Sequence, residues 1–310
     1  MGRFLLSALL ATVALTAAVA SECAGAGGDP LLAAVGDISC PPESVITPEA
    51  CQQGATARLV QAARPSSVAL LGDIQYEQSM LPEFMGPGAF NETWGPLMPL
   101  VHAVPGNHEY SSSPTAAGYF QYFGAAAGPG GRGYYSYRLG SWHVIALNSA
   151  CLEACADTNT GIVSAAEVRW LRSDLAHVRR RCILAFWHHP RFSSTVGLGE
   201  ELGVAPLWRL LYRARADVVI NGHAHDYERF AQLDPEGRPT PRGIREFVVG
   251  TGGRNHFHFV RKPLRSSERR DDRDFGTLLL ALHRERYAWR FVTVRGSIVD
   301  GGSTVCHRAR

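Results

Sequence analysis

The chain has 310 residues, 45% of them hydrophobic and 19% charged, with 31 Lys+Arg against 28 Asp+Glu. This balance excludes a disordered chain, a collagen and a coiled coil, and the near-neutral, unclustered charge leaves no electrostatic footprint for nucleic acid. At this length roughly three quarters of the unfolded surface can be buried, enough for one large domain or two small ones.

The chain opens on Arg3 and an apolar run over residues 4–20 that closes on Ala18-Val19-Ala20. That is the pattern of a secretory leader with a small-residue cleavage site. The run falls just under the ~18 to 20 residues that span a bilayer, so an exported protein with no membrane span is expected, cleaved after Ala20. Residues 21–30 read as a short linker, 31–306 as one domain and 307–310 as a tail. Export permits disulfides among the seven cysteines. Cys40 and Cys51 flank a Pro-rich loop and Cys151 and Cys155 a tight one, which suits local pairs. Cys182 and Cys306 then form a long-range clasp, and Cys23 is left over.

Further along, residues 31–35, 67–71, 100–104, 143–147, 183–187 and 218–220 each read as a buried strand followed by a loop. Helical patterns cover 48–63, 165–180 and 204–216. Ser164 and Glu167 make a capping box for the second of these, with Val168, Leu171, Leu175 and Val178 on one face. Antiparallel strands are expected at 246–249, 277–282 and 287–294, and the charge-dense stretch 261–274 reads as an exposed loop. The expectation is one α/β domain of two packed sheets with helices outside.

Polar sets stand just past these apolar runs: Gly36-Asp37, Gly72-Asp73 through Tyr76, Gly106-Asn107-His108-Glu109, His188-His189-Pro190 and Gly222-His223-Ala224-His225. The carboxyl ends of strands are where open α/β sheets bind ligands. Each set alone has an ordinary explanation as a turn, a helix cap or a strand end. Together they offer two Asp, a Tyr, an Asn and three His, a donor set suited to hard and borderline cations in a dinuclear site, without thiolate. The His-x-His spacing also places both rings on one side if that strand end is extended.

In this order the five blocks resemble the calcineurin-like metallophosphoesterase superfamily, and within it the purple acid phosphatases. Ser39 stands where the wider superfamily has the His of Asp-x-His, and Tyr76 follows Asp73 by three residues, the exchange that marks the purple branch. The resemblance implies a four-layer αββα sandwich of two mixed sheets flanked by helices, with the metal site at the strand C-terminal ends. It implies Asp37, Tyr76 and His225 on one metal, Asn107, His188 and His223 on the other, and Asp73 bridging them. The implied cofactors are two metal ions, Fe(3+) plus a divalent Fe, Zn or Mn. Hydrolysis of a small phosphate monoester by metal-bound hydroxide would follow, with His108 stabilising charge or protonating the leaving alkoxide and Glu109 as the alternative anchor of its ring.

The chain departs from the plant members of that branch in having no histidine within 192–203, and in leaving no room for a separate N-terminal β-domain ahead of residue 31. His189 and Arg254 are possible substitutes for the missing histidines, but both are read as structural and kept out of the catalytic set, and His189 is not expected to ligate. A phosphodiesterase or nucleotidase on the same metals remains an alternative, as does a catalytically silent metal-binding module.

Overall fold

Alternation along the central strands sorts side chains into different cores. In β1 (Leu31–Val35), Leu32 and Ala34 enter one core while Ala33 and Val35 enter another, as the two-residue period of a strand requires. The same parity divides Val144 and Ala146 from Ile145 in β5 (Trp142–Ala146). It also divides Leu184 and Phe186 from Ile183 and Ala185 in β6 (Ile183–Phe186). A strand buried on both faces must be covered twice, which fixes the layer order.

The computed structural model describes residues 28–150, 161–179 and 182–307. The expected leader with its cleavage point, Cys23, and the pairing of Cys151 with Cys155 lie outside them. The first sheet runs β13 (Ile298–Val305), β12 (Arg286–Thr293), β11 (Gly276–Leu282), β1, β2 (Ser67–Leu70) and β3 (Val101–Ala103). Strands β1, β2 and β3 are parallel, and β11 to β13 add antiparallel neighbours. In the second sheet the order is β10 (Ser267–Asp271), β8 (Tyr227–Leu233), β9 (Ile244–Val249), β7 (Val218–Asn221), β6, β5 and β4 (Tyr135–Leu139).

Residues such as Leu32, Leu184, Ile220 and Leu280 fill the space between the sheets. Behind the first sheet Val68, Leu70 and Leu279 meet side chains of α1 (Gln53–Ala63), α2 (Leu81–Met85), α3 (Phe90–Trp94) and α4 (Ala117–Phe123). Behind the second, Ile145, Ala185 and Val219 meet α5 (Ala165–His177) and α6 (Ala205–Arg213). The result is the expected αββα sandwich of two mixed sheets. Among the described residues no helix is long and apolar enough to cross a membrane.

Several boundaries move. The helix expected over 48–63 begins only at Gln53, because Thr47 and Ala50 pair with each other and Cys51, disulfide-bonded to Cys40, takes a left-handed φ of 64°. Helix α5 ends at His177 rather than 180, and its box is half formed. Ser164 accepts the Glu167 N–H at 3.1 Å, while the Glu167 carboxylate accepts the Asn148 N–H instead, at 2.7 Å. Helix α6 is shorter than the 204–216 expected.

The stretch 261–274 is not all loop, because Ser267–Asp271 pairs with β8 as an edge strand. Edge strands show charge to solvent, and the alternation that announces a buried strand is therefore missing there. Strand β9 is antiparallel to β8, as expected of it, but parallel to β7. The Cys182 to Cys306 clasp is present and ties the start of β6 to the end of β13, joining the two sheets.

Candidate metal centre

Strand ends from both sheets converge on one place. Strands β1, β2 and β3 lead into Asp37, Asp73, Tyr76 and Asn107, and β6 and β7 lead into His188, His223 and His225. All seven side chains expected as donors meet there, in two clusters. In the first, Tyr76 Oη lies 3.1 Å from Asp37 Oδ1, 3.1 Å from Asp73 Oδ2 and 2.9 Å from His225 Nε2. In the second, His188 Nε2 lies 3.0 Å from Asn107 Oδ1, 3.2 Å from His223 Nδ1 and 3.4 Å from Asp73 Oδ1. One oxygen of Asp73 faces each cluster.

Tight backbone turns make this convergence possible. Asp37, Asp73 and His223 adopt φ of 60°, 48° and 68°, a region costly for residues with a Cβ and concentrated at functional sites. Gly72 (φ +87°) leaves room for His188, whose Nδ1 a Cβ there would meet at 2.7 Å, and Gly106 leaves room for the Asp73 carboxylate. The extended geometry expected for His-x-His is not what occurs. Ala224 N–H bonds Gly222 O at 2.8 Å and Asp226 N–H bonds Ala224 O at 2.7 Å, so the chain turns twice and sends the two rings to different clusters.

Electrostatics show what the cavity lacks. Burial would raise the Asp73 carboxyl, yet the His188 and His108 rings hold it well below the usual range. Burial would lower His188, but Asp73 and Asp37 lift it to about 9, so the carboxylates recruit positive charge onto that ring. Burial and the neighbouring His188 push His223 down to about 3. Burial, Asp73 and Asp37 drive the Tyr76 phenol well above its ordinary value.

His188 Nδ1–H donates to Leu71 O at 2.8 Å and His225 Nδ1–H to Asn255 Oδ1 at 2.8 Å. Such bonds turn the other ring nitrogen toward the site, as metal-binding histidines require. Oxygen and nitrogen acceptors crowded at about 3 Å, in a buried place with two carboxylates, suit hard and borderline cations, and the residues present fit a metal centre.

His108 lies at the rim. Its backbone N–H donates to Asp73 Oδ1 (2.9 Å), its Nδ1 bonds Glu77 O (2.6 Å), and its Nε2 is 3.9 Å from Asp73 Oδ2. Burial would lower this ring, but Asp73, Glu77 and Glu109 raise it overall. Glu109 does not hold the ring. It accepts the backbone N–H groups of Asp73, Ile74 and Gly106 at 2.8, 2.8 and 2.6 Å. Arg254 sits 5.1 Å above the Tyr76 ring and pairs with Glu77.

Sequence reasoning missed Asn255, which orients His225, and Phe257, whose ring stacks on His225 at 4.0 Å. It missed Ser149 as well, which holds His189. The same strand-end rule would have found Ser149, since Asn148 and Ser149 stand just past Leu147, the residue after β5.

The calcineurin-like phosphoesterase family model matches residues 31–227. Purple acid phosphatase 21 of Arabidopsis thaliana is 30% identical over 199 residues, covering 59% of this chain and 43% of that protein. The chain therefore spans less than half the length of that curated relative. Purple acid phosphatase PPD1 from yellow lupin seeds superimposes with a TM-score of 0.68 at 18% identity, over 91% of this chain and 55% of that one. GAP50, the anchor in the inner membrane complex of Plasmodium, gives 0.65 at 12% identity, over 91% and 90%. Likeness at these structural identities speaks for the fold alone.

Proposed function

Because this chain belongs to the calcineurin-like phosphoesterase family, we propose that it is an exported, metal-dependent phosphatase of the purple acid phosphatase kind, acting on small phosphate monoesters. The observation that carries the reading is the split placement of Asp73, one oxygen toward Tyr76 and one toward His188. In this reading Asp37, Tyr76 and His225 would hold ferric iron, Asn107, His188 and His223 would hold a divalent Fe, Zn or Mn, and Asp73 would serve both. Phenolate and carboxylate favour the harder ion, imidazole and amide the softer one. When bound, the pair supplies charge stabilisation for phosphoryl oxygens and acidifies water. Two disulfides among the described residues support an oxidising, extracytoplasmic location.

The chain's own residues then do three things. Asp73 and Asp37 hold negative charge where cations are wanted, and Glu109 fixes the Asp73 backbone through three N–H bonds. The crowded seam between the sheets keeps bulk water from the donors, all buried except the half-buried Asn107. His108, with Nδ1 fixed on Glu77 O, presents Nε2 to the rim. As the oxygen of a water bonds to phosphorus and the bond to the ester oxygen breaks, a proton on His108 Nε2 passes to the departing alkoxide, which leaves as the alcohol while the phosphoryl group leaves as inorganic phosphate.

The test is metal analysis of protein purified without chelator, together with rates on a nitrophenyl monoester and the matching diester. Two ions per chain, one of them iron, and faster monoester cleavage are expected. The oxidised protein should be coloured by phenolate-to-iron charge transfer, and Tyr76→Phe should bleach it. Colourless, active protein with only divalent metal would reject the iron assignment, and a preference for the diester would reject the monoester one.

A further inference from the structure

Resting on the phosphoesterase reading, we propose that His189 is a further substrate-binding residue, its Nε2–H donating to an oxygen of the phosphoryl group. The assignment starts from Ser149. A hydroxyl has one proton to give and two lone pairs to accept with. Ser149 Oγ accepts the His189 backbone N–H at 2.9 Å and lies 3.0 Å from Nδ1 of the same residue, and both side chains are buried. If Nδ1 also donated, the buried hydroxyl proton would have no acceptor among the described residues. Donation from Ser149 to Nδ1 satisfies the hydroxyl and leaves only the ring's Nε2–H without a partner among the described residues, so the ring proton is assigned to Nε2.

That Nε2–H is buried and meets no hydrogen-bond partner among the described residues. Unsatisfied buried donors are rare and call for an explanation. The ring stands against the second cluster. Its centroid is 4.4 Å from that of His223, and one of its nitrogens lies within 4.8 Å of nitrogens of His188 and His223. It also lines a cavity of about 310 Å³ with His223, Pro190, Leu198 and Glu201.

A neutral N–H donor held rigidly by a buried serine is suited to an anionic oxygen whose charge grows during phosphoryl transfer. The cavity is at the small end of ligand sites, ~300 to 1,000 Å³. It would take the compact alcohol part of a monoester whose phosphoryl group lies between His189 and the metal donors.

The test uses metal-loaded full chain and inorganic phosphate as the probe, with calorimetry and metal content measured on each variant. His189→Leu should keep both metals and bind phosphate about 10- to 100-fold more weakly, the range for a lost hydrogen bond to a charged group. His189→Gln, whose side-chain amide can place an N–H near the same point, should stay within about threefold of wild type. Ser149→Ala frees the tautomer and should weaken phosphate binding by about 3- to 10-fold, which keeps the idea testable if His189→Leu fails to fold. In metal-free protein, nitrogen-15 shifts should report His189 as the Nε2–H tautomer.

Unchanged phosphate affinity in His189→Leu or Ser149→Ala, an Nδ1–H tautomer, or a Gln variant as weak as Leu would overturn the proposal. Loss of a metal from His189→Leu would make the residue a ligand and overturn it too. If metal-loaded wild type binds no phosphate and cleaves no ester, the phosphoesterase reading falls and takes this one with it. Cleavage with unaltered affinities in the variants removes the His189 role alone.

Discussion

The two sheets bring unlike halves to the site. Strands β1, β2 and β3 end in oxygen donors, Asp37, Asp73, Tyr76 and Asn107, while β6 and β7 end in the nitrogens of His188, His223 and His225. Neither half is a chelating site by itself, since each cluster mixes the two. The halves are also fixed to one another by hydrogen bonds at the seam. His188 Nδ1–H donates to Leu71 O, the His223 N–H to Asp37 Oδ2 at 2.8 Å, and the Gly36 N–H to Val249 O at 3.0 Å. The contrast teaches that the centre is a property of sheet packing, and that the residue belonging to both clusters should be the most sensitive.

That residue is Asp73. Asp73→Ala should take the metal content from two ions to none and lower turnover by on the order of 10³ or more, as expected when Lewis-acid stabilisation of several kcal/mol is lost. Metal analysis beside kinetics is the measurement, and an Asp73→Ala protein that kept either ion would break the comparison. His108→Ala comes next, with turnover lower by about 10² to 10⁴, the usual range for a lost general acid. Both ions should remain. If His108→Ala instead lost metal and kept its rate, the ring would belong to the oxygen-donor half as a support for Asp73.

Legibility in the sequence follows the same division. The polar sets stood just past apolar runs, so the pattern pointed to these positions, and the family resemblance supplied their assignment as donors. Asp37, Asp73, Asn107 and His188 are of this kind. What was not readable depends on contacts between distant segments. Asn255 is 30 residues from the ring it orients, and the left-handed turn at His223 contradicts a simple strand-end reading. Strands β8, β10 and β13 escaped for a different reason. Their faces carry paired charges such as Arg229 with Asp300 and Glu268, which produce no apolar alternation.

The clasp between Cys182 and Cys306 probes the packing without touching the donors. It ties β6 to β13 at the start of β6, while His188 stands past the other end of that strand. It encloses 124 residues of sequence separation, and removing such a bridge typically costs about 2 to 5 kcal/mol. Cys182→Ser with Cys306→Ser should therefore lower the denaturation midpoint while metal content and turnover of the folded protein stay near wild type. Metal loss below the unfolding transition would show that the seam depends on the clasp as well as on its own hydrogen bonds.

The same division of the molecule separates two buried glutamates that do parallel work. Glu109 supports the first-sheet loops by accepting three backbone N–H bonds and the Ser79 hydroxyl. Glu167, on α5, supports the second sheet by accepting only the Asn148 N–H, and its other oxygen is buried with no partner among the described residues. Burial accordingly pushes Glu167 up to about 8, against an ordinary value of 4.5, with the Asn148 bond opposing weakly. A carboxyl raised on folding gives its full stability below its unfolded pKa, and that contribution is lost as pH rises through the folded one. Wild type should lose stability between about pH 5 and about pH 8.5, at a rate of at most about 1.4 kcal/mol per pH, reached where the folded carboxyl is protonated and the unfolded one ionised. Glu167→Gln has no such proton to lose and can still accept the Asn148 N–H. Its urea midpoint should therefore fall less steeply over that range, gaining at least about 1 kcal/mol on wild type by the upper end. Parallel curves for the two proteins would mean that Glu167 is ionised in the fold.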